Sequence, residues 1–294
     1  MPRIVPGLLR SSRNKSPASL RLVGARLTGA FLLTLLAGCH RGDDPSPSTQ
    51  RIGVSTSLPI LWGESDDPRE LLSSGAPRSW AGDLLASQGK LQPLDSLTDA
   101  QGRLPLPIDA LLVMAQPRAL TPQENVALDN WVRAGGRLLL FVDPMLTQPS
   151  RYPLGDPRRP QAIAMLSPIL AHWGLELRFA RSEEPEERSI PFRDGSLLVN
   201  LPGRFHILGI SGDADADRGN RGIAGQSAAS GKSREGNASC SLESAKILAN
   251  CRIGRGRVLA VADAALFEDA VDPADLSMRQ KALNGLLFRL KSGD

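Results

Sequence analysis

ALLVMAQPRALTPQENVALDNWVRAGGRLLLFVDP, residues Ala110 to Pro144, is a strand, a helix and a second strand with every boundary marked. The apolar run Ala110 to Ala115 has the length of a buried strand. Thr121-Pro122-Gln123-Glu124 then supplies a capping box with proline at the first helical position. Gly135-Gly136 stops the helix, and Arg137 to Val142 is a second buried strand that ends at Asp143-Pro144. Two strands joined through a helix run parallel by a right-handed crossover, so the stretch predicts an α/β layer architecture. That architecture hosts many activities, and function has to be argued from particular residues.

Working outward, Ile52 to Trp62 reads as a first strand that Pro59 interrupts, and Ser79 to Ser87 as a helix stopped by Gly89. Lys90 to Leu97 follows as a strand, Gln161 to Trp173 as a helix, and Leu175 to Phe179 as a short strand. Glu183 to Glu187 is a charge run, and Ser211 to Gly236 is a Gly/Ser/Asp/Arg-rich loop. Order returns at Lys246 to Cys251, then Gly254-Arg255-Gly256 as a hairpin-type turn, Arg257 to Ala262 as a buried strand and Met278 to Leu290 as an amphipathic helix. GGRLLLFVD at Gly135 to Asp143 and GRGRVLAVAD at Gly254 to Asp263 echo each other, two glycine turns feeding strands that end in aspartate.

The net charge of +4 belongs to the first 38 residues, which hold Arg3, Arg10, Arg13, Lys15, Arg21 and Arg26 and no acidic residue. The remainder has 29 basic against 31 acidic residues, a net of −2, without aromatic interleaving. No nucleic-acid partner is expected of such a body. Leu27 to Gly38 is an apolar run of twelve, too short for a bilayer span of roughly 20 residues and suited to a signal-peptide core. Leu36-Ala37-Gly38-Cys39 resembles the lipobox of bacterial lipoproteins, which implies cleavage before Cys39 and a lipid-modified N-terminus. The alternative is an ordinary signal peptide with Cys39 a plain residue. The expected organisation is a leader over 1–38, a flexible tether over 39–50 and one α/β domain over 51–294, held at the periplasmic face of the cell envelope. By the sorting tendency of that lipoprotein family in some bacteria, His40 after the cysteine, instead of aspartate, implies the outer membrane.

Ala119 to Asp129, Trp131 to Leu140, Asp143-Pro144, and Gly254 to Leu259 with Asp263 resemble a family of bacterial auxiliary proteins of ABC-type transport systems, the gliding-motility-associated group and its relatives. The resemblance implies a mostly parallel sheet similar to flavodoxin and to class I glutamine amidotransferases, with helices on both faces. It also implies a permease and ATPase complex as partner.

The amidotransferase-like fold carries a cysteine nucleophile on a glycine-rich elbow, which neither Cys240 nor Cys251 provides. In an exported chain these two cysteines, eleven apart, are better used as a disulfide. No Gly-x-Ser-x-Gly occurs, three scattered histidines give no zinc spacing, and Gly254-x-Gly256 precedes a strand where a dinucleotide fingerprint would follow one. Asp213, Asp215 and Asp217 have calcium-loop spacing, but Arg218 stands where glycine is needed. No metal or cofactor is expected. Ligands of open α/β sheets bind beyond the carboxyl ends of the strands, where Trp62, Glu64, Gln116, Asp143 and Asp263 fall. If their strands are neighbours, Asp143 and Asp263 could share protons for acid/base work. The plain alternative is that each caps its own turn. The leading expectation is a non-catalytic binding component of a transport system, and the second a carboxylate-dependent hydrolase of an envelope substrate.

Overall fold

The computed structural model of the chain describes residues 50–64, 78–179, 184–208, 230–232 and 238–293. The leader, Cys39, the tether up to residue 49, and residues 211–229 and 233–236 of the glycine-rich loop lie outside the described residues.

The first half alternates strand and helix: β1 (Arg51–Thr56), α1 (Trp80–Gln88), β2 (Lys90–Pro93), β3 (Leu111–Ala115), α2 (Pro122–Arg133) and β4 (Arg137–Phe141). Then follow α3 (Ser167–His172), β5 (Leu175–Arg178), β6 (Arg188–Phe192), β7 (Gly195–Val199) and β8 (Arg204–Ile207). The chain closes with β9 (Ser230–Lys232), β10 (Ala238–Glu243), β11 (Leu248–Ile253), β12 (Gly256–Val261), a 3-10 turn at Ala265–Phe267 and α4 (Pro273–Ser292).

Among the described residues the main sheet has eight strands in the order β2-β1-β3-β4-β12-β11-β10-β9. The first five are mutually parallel, and the last three form an antiparallel meander on β12. The order 2-1-3-4-12 is the flavodoxin-like arrangement, and its strand order reverses between β1 and β3. The β1 to β2 crossover moves one way along the sheet and the β3 to β4 crossover the other. Right-handed connections therefore put α1 and α2 on opposite faces. α4 packs with α1, and α3 with α2, which completes the two covering layers.

The capping box of α2 forms in full: Thr121 Oγ1 accepts from the Glu124 N–H, and Glu124 accepts from the Thr121 N–H. β3 is buried at all five positions and β4 at four, as strands covered on both faces must be. Gly256 enters β12 where α2 ends, and a Cβ there would stand 1.9 Å from the Val132 carbonyl oxygen.

Several boundaries differ from the sequence reading. β1 stops at Thr56, because Thr56 Oγ1 donates to the Ala115 carbonyl (2.7 Å) and accepts from the Leu58 N–H (2.9 Å), turning the chain before Pro59. The helix expected over Gln161 to Trp173 covers only Ser167–His172. Residues 162 and 164 instead bond to the loop after β4, through Leu146 N–H to Ala162 O (3.0 Å) and Ala164 N–H to Asp143 O (2.8 Å). β5 lies outside the main sheet and pairs with β8, and β9 is a strand within the expected loop.

Candidate functional site

The echo seen in the sequence is a structural pairing. β4 and β12 lie side by side in parallel, with Arg137 opposite Arg257 and Phe141 opposite Val261. The ladder continues through the Val142 N–H to the Val261 carbonyl (2.9 Å), which brings Asp143 and Asp263 together at the carboxyl ends of neighbouring strands.

Both side chains are shut away from solvent, with 0% and 1% of their surface exposed. Asp143 accepts from the Met145 N–H (2.8 Å) through one carboxyl oxygen and from the Ala264 N–H (3.1 Å) through the other. Asp263 does the same with the Ala265 N–H (2.7 Å) and the Asn200 N–H (3.0 Å). Each aspartate thus closes the turn two residues after itself and ties down a second segment. Burial pushes the Asp143 carboxyl up to about 7, with the Glu268 charge adding to it against the two N–H bonds. Burial and then the charge of Asp143 hold Asp263 well above the usual carboxylate range. Two such groups cannot both ionise without cost, and each opposes the ionisation of the other.

Gln116, where β3 ends with a left-handed φ of 45°, is fully buried. Its amide nitrogen donates to the carbonyls of Asp143 (3.0 Å) and Gln161 (2.8 Å), and its amide oxygen accepts from the Asp143 N–H (2.8 Å). Ser57 bridges the same place, donating its hydroxyl to Gln116 O (2.5 Å) and accepting from the Gln161 N–H (2.9 Å). These bonds cross the switch point between β1 and β3, the place where flavodoxin-like sheets receive ligands.

Of the five binding candidates, Gln116, Asp143 and Asp263 are therefore brought together, with their polar atoms engaged by the main chain. Trp62 stays 48% exposed, and Glu64 accepts from the Ser150 hydroxyl (2.6 Å) and the Arg151 N–H (2.8 Å), fastening the segment between β4 and α3 to the segment after β1. Cys240 and Cys251 face each other across β10 and β11 and are joined by a disulfide. Cys39 lies outside the described residues.

The sequence reading missed Glu268, Thr147 and Arg279. Burial raises Glu268, opposed by the Thr147 hydroxyl bond (2.5 Å) and the charge of Arg279. Arg279, 2% exposed, donates to Ala265 O (2.5 Å), Asp275 (2.9 Å) and Glu187 (2.5 Å). Its placement at i+4 from Asp275 was the available signal. Among the described residues no group of three His, Cys, Asp or Glu side chains could hold a metal ion, and no helix is long and apolar enough to cross a membrane.

Residues 90–202 match the model of a family described as an ABC-type uncharacterized transport system. The resemblance carried by Ala119 to Pro144 holds over this stretch; Gly254 to Asp263 lies beyond it. No curated protein matches the chain. Among solved structures, an exo-β-1,4-mannosidase from Opitutaceae bacterium strain TAV5 aligns at 13% identity and a TM-score of 0.36, over 83% of this chain and 35% of that one. A β-galactosidase from Rahnella sp. R3 aligns at 12% identity and a TM-score of 0.38, over 83% of this chain and 31% of that one. A cytoplasmic protein from Salmonella typhimurium aligns at 11% identity and a TM-score of 0.41, over 82% of this chain and 98% of that one. The chain thus spans about a third of the length of the two glycosidases.

Proposed function

We propose that this chain is a lipid-anchored, non-catalytic auxiliary component of an ABC-type transport system, working at the periplasmic face of the cell envelope. The observation that carries the reading is the family match over residues 90–202, which contains β2 to β7 and the Gln116–Asp143 junction. The junction is consistent with it: its carboxylates and amide bond to strand ends and are shut away from solvent. The fold then acts as a rigid platform, and recognition falls to exposed side chains such as Trp62.

Affinity purification of the full chain from detergent-solubilised envelope tests this. Recovery of a transport ATPase together with its permease is expected, and recovery of no membrane protein would overturn it. The anchor has its own test, incorporation of labelled palmitate that is lost in Cys39→Ser.

A carboxylate-dependent hydrolase of an envelope glycan or ester is the second reading, favoured by the raised pKa of Asp143 beside Asp263. Under it, Asp143→Asn and Asp263→Asn would each abolish turnover in a substrate screen while the protein stays folded. Unchanged turnover removes it.

A further inference from the structure

At the amino ends of the parallel strands, opposite the aspartate junction, basic residues line up across the sheet. Lys90 of β2 is opposite Arg51 of β1, and Arg137 of β4 is opposite Arg257 of β12, which is opposite Arg252 of β11. Arg255 sits in the turn that joins the last two strands, at the same edge. Arg51, Lys90, Arg252 and Arg255 are exposed. Lys291, at the end of α4, is held below the usual lysine range by burial and then by the charge of Arg137. Against this row stands Asp109, two residues before β3.

Basic residues often gather at helix C-termini to offset the helix dipole, and Arg133 and Lys291 do so here. Arg257, whose guanidinium lies beside Gly293 at the end of α4, joins them in this, whereas Arg51 and Arg252 are exposed strand residues on neither helix. Overall charge does not account for these two either, since the body outside the leader carries a net of −2. A recess of ≈ 210 Å³, lined in part by Arg252, Arg257, Ser241 and Asn250, opens beside the row.

Gln50, which precedes β1 at this same edge, accepts through its carbonyl from the Lys90 N–H (2.9 Å). Cys39 lies twelve residues before Arg51, a distance that an extended chain spans in at most about 40 Å. On the lipid-anchor reading, a tether of that length leaves the amino edge within reach of the bilayer.

We infer that the basic amino edge of the sheet is a membrane-docking face that takes anionic phospholipid headgroups, turning the aspartate edge and Trp62 away from the bilayer towards a partner. The inference rests on the lipid-anchor reading. Each basic side chain near an anionic surface adds an increment of attraction that fades within a Debye length, so the effect has to vanish at high salt.

The test is hydrogen exchange on the full chain, lipidated and reconstituted in vesicles of one part phosphatidylglycerol to two parts phosphatidylcholine, against phosphatidylcholine alone. Exchange at residues 252–257 should slow by about tenfold on the anionic vesicles only, and the protection should disappear in high salt. The exposed double substitution Arg252→Glu with Arg255→Glu should abolish the protection while the chain stays vesicle-bound. Equal exchange on both vesicles, protection confined to the carboxyl-edge loops, or the same protection from inorganic phosphate without vesicles would each overturn the docking face. Release of the lipidated chain from neutral vesicles would instead overturn the anchor.

Discussion

The side chain of Gln116 completes a strand pairing that the backbone has stopped making: its amide both donates to the Asp143 carbonyl (3.0 Å) and accepts from the Asp143 N–H (2.8 Å). β3 turns away at this residue, while the chain beyond β4 runs two residues further before its own turn. Without the amide, the Asp143 N–H would be buried with no acceptor.

Gln116→Ala should therefore cost about 2–4 kcal/mol, because the Asp143 N–H and the Gln161 carbonyl lose their partner at once, while the Asp143 carbonyl keeps the Ala164 N–H. Gln116→Leu, which keeps the volume, should cost as much. Urea denaturation decides the matter. A loss in Gln116→Leu well under that of Gln116→Ala would mean that packing, and not the paired hydrogen bonds, is what the glutamine supplies.

The aspartate pair predicts the sign of the pH dependence. Folding raises Asp143 from 3.8 to about 7, and Asp263 moves in the same direction. The folded state thus binds more protons than the unfolded one between these limits. The stability that Asp143 contributes is complete below pH 3.8 and is lost as pH rises through about 7, and Asp263 acts in the same direction. Melting temperature should fall across that window, more shallowly in Asp143→Asn even though the variant starts lower. A wild-type melting temperature that climbs steadily to neutrality and beyond would contradict the assignment.

The parallel half of the sheet was legible because its signals are local. Thr121, Glu124, Gly135 and Gly136 mark boundaries within a few residues of the strands they separate. The antiparallel half was harder. β10 reads ASCSLE, whose polar alternation becomes a strand only when β11 lies beside it, and a register of that kind is set by tertiary contact. The helix expected from Gln161 failed for a similar reason, since the Asp143 carbonyl and the Leu146 N–H claim the segment that helical hydrogen bonds would need. At the site, strand ends placed both aspartates at one edge of the sheet, while the partners that tie them down come from segments far away in sequence, Asn200 and Ala264.

Glu124 gives the opposite pH signature to the aspartates. Burial alone would raise it, but Arg118 and the N–H groups of Thr121 and Leu97 hold it at about 2 against its usual 4.5. Its contribution is present above pH 4.5 and lost as pH falls towards 2. Glu124→Ala removes the capping box, the acceptor of the Leu97 N–H (3.0 Å) and both contacts to Arg118 (2.6 and 3.1 Å). The expected loss in chemical denaturation is about 2–4 kcal/mol. Arg118→Ala should cost less, because that side chain is 47% exposed; the reverse ranking would make the ion pair the dominant part.

The disulfide makes a prediction that separates the two halves of the sheet. Cys240 and Cys251 are eleven residues apart and directly opposed in the β10–β11 pairing, so the link closes a short loop in the unfolded chain. Loop-closure entropy for that length corresponds to about 3 kcal/mol, the loss expected for Cys240→Ala with Cys251→Ala or on reduction. β10 lies near the outer end of the sheet, next to the three-residue β9, whereas β4 is central and flanked by parallel partners. Opening the link should therefore loosen the meander first. Backbone amide exchange should quicken across 248–253 and leave 137–141 at the rate set by global unfolding. Equal acceleration in both segments would show that the meander and the parallel strands open as one cooperative unit.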